Sequence, residues 1–155
     1  MINVSNGYTN AIFIAGYESN GDCQWARIYG SDNNYNSARD IDIDASDNLY
    51  ITGEYAGSVS FDIQTLNSAG FRDVFLLKLS NMGAPLMAKS AGGSFVDHAE
   101  AVSVADDGSI YITGYFEDVS LFDSYQVTTN GCVSSDGFLA KYNASGVCQW
   151  VKGFG

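Results

Sequence analysis

The amino-acid sequence predicts an all-β protein built from repeated antiparallel hairpins, and three observations lead there. Seventeen glycines stand against a single proline, with ten tyrosines and nine phenylalanines among 155 residues. That is the composition of pleated strands joined by tight turns. Short runs rich in Ile, Val, Tyr and Phe alternate with turns of Asn, Asp, Ser and Gly, as hairpins require. No stretch keeps its apolar residues at the 3.6-residue period of an amphipathic helix. With 46% hydrophobic residues, the chain can bury about 70% of its unfolded surface as one domain of this length.

The elements recur in order. Ala11-Ile12-Phe13-Ile14-Ala15-Gly16-Tyr17 leads through a turn at Gly21 to Cys23-Gln24-Trp25-Ala26-Arg27. Asp73-Val74-Phe75-Leu76-Leu77-Lys78-Leu79 leads through Gly83 to Pro85-Leu86-Met87-Ala88-Lys89, and Asp136 to Tyr142 leads through Gly146 to Cys148-Gln149-Trp150-Val151-Lys152. Phe13, Phe75 and Phe138 lie 62 and 63 residues apart, and so do Trp25, Met87 and Trp150. Between these hairpins sits a second type. Asp40-Ile41-Asp42-Ile43-Asp44 followed by Leu49-Tyr50-Ile51-Thr52-Gly53 matches Ala101-Val102-Ser103-Val104-Ala105 followed by Ile110-Tyr111-Ile112-Thr113-Gly114, at an offset of 61. Gly21, Gly83 and Gly146 stand where such loops need a left-handed residue. In the second hairpin type Asp47 takes the place of Gly108, and Asp is among the residues that tolerate positive φ.

Four strands in a period of about 62 residues predict one blade of a β-propeller with a long connection. That connection holds Val59-Ser60-Phe61-Asp62 in one copy and Val119-Ser120-Leu121-Phe122-Asp123 in the next, read as a short edge strand or an ordered loop. Loops of this length are common places for ligand contacts.

These motifs resemble the SBBP family of bacterial β-propeller repeats. The resemblance is carried by Ile41-Asp42-Ile43-Asp44, Tyr50-Ile51-Thr52-Gly53, Phe61, Asp73-Val74-Phe75-Leu76-Leu77-Lys78 and Ala88-Lys89. The second copy carries it through Tyr111-Ile112-Thr113-Gly114, Phe122, Asp136-Gly137-Phe138-Leu139-Ala140-Lys141-Tyr142 and Trp150. Gly16 departs from it where Lys78 and Lys141 stand, and Met87 replaces Trp. The resemblance covers the chain from about residue 11. It implies four-stranded antiparallel blades with inner strands first (39–44 and 48–55) and outer strands after (73–79 and 85–91). It also implies a secreted or cell-surface protein with no shared catalytic residues.

On that order, residues 1–10 are an N-terminal extension, 11–30 half a blade, 31–92 one blade and 93–155 another: about two and a half blades. A closed propeller needs at least about four, and open blade edges invite association. Two readings follow: further blades belong to a longer parent chain, or copies close a ring through their blade edges. The surplus half-blade favours the first, because it leaves no integral period per chain.

Charge narrows the partners. Eighteen acidic against seven basic residues, net −11, repel phosphate backbones and anionic lipid, so neither nucleic acid nor a membrane surface is expected as partner. No run approaches the roughly 18 apolar residues of a membrane-spanning helix. Met1 to Gly7 lack the basic and apolar regions of a signal peptide. The expected function is a non-enzymatic binding or scaffolding module that meets a protein or glycan through its blade loops. The alternatives are a structural protein assembling through open edges and, less favoured, an enzyme whose site needs further blades.

No catalytic residue, cofactor or metal ligand is assigned. Asp40, Asp42 and Asp44 share one strand face and invite a calcium reading, but an EF-hand count from Asp40 puts Ala45 at the glycine position and Ile51 at the carboxylate position. A solvated or channel-facing strand edge is preferred, since Ala101, Ser103 and Ala105 replace the acids in the second copy. His98, the single histidine, is read as a surface-loop residue matching Ser37. Cys23, Cys132 and Cys148 leave at least one thiol unpaired within the chain, and Cys23 and Cys148, in the shared Cys-Gln-Trp motif, are read as packing residues. Trp25, Trp150, Phe13, Phe75, Phe138, Tyr50 and Tyr111 are expected between blades. Tyr29, Tyr35, Phe71, Phe95 and Tyr125 lie off the repeat near loops, where they suit stacking on sugars. Asn3-Val4-Ser5 and Asn143-Ala144-Ser145 match the glycan sequon.

Overall fold

A computed structural model describes residues 10–30, 34–130 and 135–155. Cys132 and the Asn3 sequon lie outside these residues, as does all but Asn10 of the N-terminal extension. Among the described residues there are fourteen strands and no helix. The first unit is β1 (Ala11–Tyr17) and β2 (Cys23–Gly30). The second has β3 (Asn36–Ile43), β4 (Leu49–Tyr55), β5 (Ser58–Ser60), β6 (Thr65–Asn67), β7 (Asp73–Leu79) and β8 (Pro85–Gly93). The third has β9 (His98–Val104), β10 (Ile110–Glu117), β11 (Val119–Phe122), β12 (Tyr125–Thr128), β13 (Ser135–Tyr142) and β14 (Cys148–Phe154).

All pairing between these strands is antiparallel. The sheets are β1-β2, a meander β3-β4-β7-β8 continued by β11 and β12, a second meander β9-β10-β13-β14, and a hairpin β5-β6. Turn chemistry explains the tight connections. Gly21, Gly83 and Gly146 have φ of 89°, 71° and 72°, while Asp47 at 61° does what Gly108 does at 78°.

The long connections are neither single edge strands nor open loops. Each is a hairpin, β5-β6 or β11-β12, turned by a left-handed Asp at the same repeat position, Asp62 (φ 63°) or Asp123 (φ 53°). The residue before that Asp, Phe61 or Phe122, is fully buried. Its ring lies against the matching phenylalanine of the third strand, 5.3 Å from Phe75 and 4.8 Å from Phe138 between centroids. β11 also adds to the outer edge of the preceding sheet, pairing Ser120 with Gly93 and Leu121 with Gly92. Each connection therefore works as a bolt between sheets.

Strand alternation divides the core in two. Ile12 and Ile14 of β1 share one cluster with Phe75, Leu77 and Leu79 of β7. The intervening β7 residues, Val74 and Leu76, share the other with Phe138, Ala140 and Tyr142 of β13. The middle sheet thus buries one face against each neighbour, as a two-residue period allows.

The Thr-Gly motif has a geometric cause. β3 bulges at Arg39, since Ala38 faces Gly53 and Asp40 faces Thr52, and β9 bulges likewise at Glu100. The bulged strand crowds its partner. A Cβ on Gly53 would lie 2.0 Å from the Ser37 carbonyl oxygen, and one on Gly114 1.8 Å from that of His98. The adjacent threonines tie the sheet together, Thr52 donating to the Phe75 carbonyl at 2.8 Å and Thr113 to that of Phe138 at 2.7 Å.

Candidate functional site

Strand directions place the tight turns 18–22, 44–48, 80–84, 105–109 and 143–147 at one end of the sheets and the long connections at the other. Between the ends, successive units meet through repeated devices. Trp25 lies over the turn of the next unit, where a Cβ on Gly83 would fall 2.5 Å from its ring. Its indole N–H donates to the Asn81 carbonyl at 2.9 Å, and Arg27 Nε donates to that of Gly83 at 3.0 Å. Met87 repeats the move one unit on, its sulfur 2.1 Å from a Cβ placed on Gly146.

The aspartate ladder is another such device. Asp40 accepts the Val102 N–H at 2.9 Å and Asp42 the Val104 N–H at 2.7 Å. Two carboxylates thereby satisfy the edge of β9, which has β10 on its other side. These bonds lower the Asp42 pKa, that from Val104 most and that from Ile43 next. Asp44 closes its own turn instead. Burial opposes its ionisation, but bonds from Asn48, Ser46 and Tyr50 outweigh it and hold the group at about 2. Of the expected solvated or channel-facing edge, the fully solvated form is corrected for Asp40 and Asp42: the half-buried acids turn toward the next sheet, while Ile41 and Ile43 on the opposite face are exposed. Beside Asp44, a shallow cleft of about 250 Å³ opens between the turns 44–48 and 105–109, lined also by Asp106 and Asp107. Among the described residues no three His, Cys, Asp or Glu side chains are grouped to hold a metal ion.

The long-connection end gathers buried acids. Glu54, fully buried, is forked by Arg39 at 2.6, 3.0 and 3.1 Å. Those hydrogen bonds, with the carboxylate's charge, raise the Arg39 pKa further. His98 opens β9 rather than lying in a surface loop, with Nδ1 3.7 Å from Glu54 Oε1. Deeper between the sheets, Asp97 accepts from the Ser120 hydroxyl and from the Gly93 N–H. Asp73 accepts the Ala69 N–H at 3.0 Å, and burial raises its pKa.

Asp97 carries a pH signature. Burial pushes its carboxyl up to about 6, with help from the charges of Asp73 and Glu117 and against the Ser120 and Gly93 bonds. An unfolded Asp releases its proton near pH 4. Between those values the folded chain keeps a proton that the unfolded chain gives up. Asp97's own contribution to stability is therefore full below about pH 4 and is lost as the pH rises through about 6, by up to about 3 kcal/mol. Asp97→Asn keeps an acceptor for Gly93 and is expected to flatten that slope in denaturant titrations between pH 4 and 7. A slope unchanged by the substitution would count against this assignment.

Sites expected from the sequence fall into two groups. Phe75, Phe138, Tyr50 and Trp25 are buried between sheets, and Tyr111 and Trp150 are half-buried with ring centroids 6.3 Å apart. Phe13 is 54% exposed, and Cys23 is exposed while Cys148 is buried. Both corrections have one cause: in the described structure no sheet lies on the far side of β1-β2. Burial and the nearby Asp123 charge push the Cys148 thiol up to about 11, which leaves it unreactive. Tyr29 is no loop aromatic; it is buried, 5.1 Å from Phe61. Tyr35 lies under the Arg72 guanidinium at 4.2 Å. Phe71, Phe95 and Tyr125 are exposed, and the loops of the first two are joined where the Phe95 carbonyl accepts the N–H groups of Phe71 and Arg72. Asn143 turns its side-chain oxygen onto the Ser145 and Val147 N–H groups, so that sequon forms a tight turn.

The Arg39–Glu54 pair was missed by sequence reasoning, although one signal existed. At the offset of 61, Arg39 becomes Glu100 and Glu54 becomes Tyr115, so both members of the ion pair change together between the copies. Comparison with protein-family models gives no match, and comparison with curated proteins gives none.

Proposed function

We propose that the chain is a non-enzymatic binding and scaffolding segment of a β-propeller of the SBBP repeat type, working outside the cell or on its surface. Its blades are the four-stranded units, with β3 and β9 innermost and β8 and β14 outermost. The observation that supports this reading most is the repetition of one junction: a large side chain of the fourth strand seated over the next unit's turn glycine, Trp25 on Gly83 and then Met87 on Gly146. A junction that repeats with the sequence period is what a stack of like sheets needs.

The long-connection end is the proposed contact surface, with Phe71 and Phe95 exposed beside Arg72 and Tyr35. Exposed aromatic rings and a guanidinium suit a sugar ring or a protein loop. Glycan-array binding by the intact chain is the test. Phe71→Ala with Phe95→Ala is expected to weaken a bound glycan by about tenfold, or about 1.4 kcal/mol. Met82→Ala, exposed at the opposite end, is expected to change nothing. Equal losses from both variants would refute this placement. A second reading, self-assembly into a ring or filament, has the one-sided pairing of β1 in its favour and predicts particle size that rises with concentration.

A further inference from the structure

Positions that repeat should be covered alike, and in the first units they are not. Ile41 and Ile43 of β3 are 49% and 55% exposed. One period later Val102 is 5% exposed and Val104 packs on the core. What covers Val102 is on view: the inner hairpin of the preceding unit, with Asp40 on its N–H group. β1 shows the same mismatch. Its counterparts β7 and β13 have a strand on each edge, whereas among the described residues β1 is paired by β2 alone. The other edge runs Ala-Ile-Phe-Ile-Ala-Gly-Tyr, without the charges or proline that protect natural edge strands.

We infer that the second edge of β1 and the wall of Ile41 and Ile43 form a docking site for a two-stranded antiparallel hairpin of the repeat's own inner type. This rests on the stacked-sheet reading above. The chain itself displays the occupant's chemistry twice. Gly53 stands opposite Phe75 and Gly114 opposite Phe138, so the partner's glycine stands opposite Phe13. The threonine before it donates to the Phe13 carbonyl, as Thr52 and Thr113 do to their phenylalanines. An aspartate on the partner's first strand accepts the Ile41 N–H, as Asp40 accepts that of Val102. The Ile43 N–H is held by its neighbour Asp42 at 2.8 Å.

A second copy of the chain does not supply this hairpin. Both inner hairpins, β3-β4 and β9-β10, are already paired to their own third strands. Two chains of net charge −11 also repel each other.

The test adds a peptide spanning Asn36–Tyr55 to the full chain, and separately fuses the same hairpin to Met1 through a flexible linker. One-to-one saturable binding is expected, with hydrogen exchange of the β1 amides slowed by about tenfold or more in both formats. Ile41→Glu with Ile43→Glu changes exposed positions, so the unfolding midpoint should hold while peptide affinity falls by about tenfold or more. Unchanged β1 exchange in the fusion overturns the inference. So do β1 amides already slow in the chain alone, and so does a dimer that protects them. Fast exchange throughout β4, β7, β10 and β13 would instead sink the stacked-sheet reading itself, which separates the two failures.

Discussion

Phe138→Ala is expected to lower the unfolding free energy by about 3–5 kcal/mol, whereas Phe13→Ala, at the same position of the repeat, should cost well under about 1 kcal/mol. Denaturant unfolding followed by tryptophan fluorescence and far-ultraviolet circular dichroism measures both. Phe138 is fully buried and touches Phe122, which β11 brings back over it. Removing the ring leaves a void between two sheets that are already fixed by backbone pairing, so little collapse is available. Phe13 is 54% exposed and its removal opens no void. Equal losses at the two positions would mean that the first unit is covered as fully as the others.

The same comparison shows what a sequence of this kind can disclose. Strands and tight turns were legible because their signals are local: short runs rich in Ile, Val, Tyr and Phe, and a left-handed turn residue at Gly21, Asp47, Gly83, Gly108 and Gly146. The β5-β6 and β11-β12 hairpins were harder to read. Runs of three or four residues are too short to establish a two-residue period. Cys23 and Cys148 share a motif but differ in burial, since exposure depends on whether a sheet lies beyond the strand. Asp40 and Asp42 misled for a similar reason. Their partners, the Val102 and Val104 N–H groups, are 62 residues away, and an acid that caps a neighbouring strand looks in sequence like an acid facing water.

Arg39→Ala should cost about 3–5 kcal/mol, because it leaves a fully buried carboxylate without its forked donor. Arg39 is itself about one-third exposed at its side chain, so little of that loss would come from packing. The charge left behind on Glu54 is the larger effect. His98 Nδ1, at 3.7 Å, is beyond hydrogen-bond reach and replaces none of the three guanidinium bonds. The repeat also displays a way of building this position without the pair, with Glu100 and Tyr115 in place of Arg39 and Glu54. Tyr115, however, is 51% exposed where Glu54 is fully buried, so a ring would overpack position 54. Arg39→Ala combined with Glu54→Gln removes the stranded charge at equal volume and should recover most of the stability lost by Arg39→Ala alone. Urea midpoints for the two single variants and the double variant give the coupling between the sites. A double variant no more stable than Arg39→Ala would place the cost in the bulge at Arg39 rather than in the stranded charge.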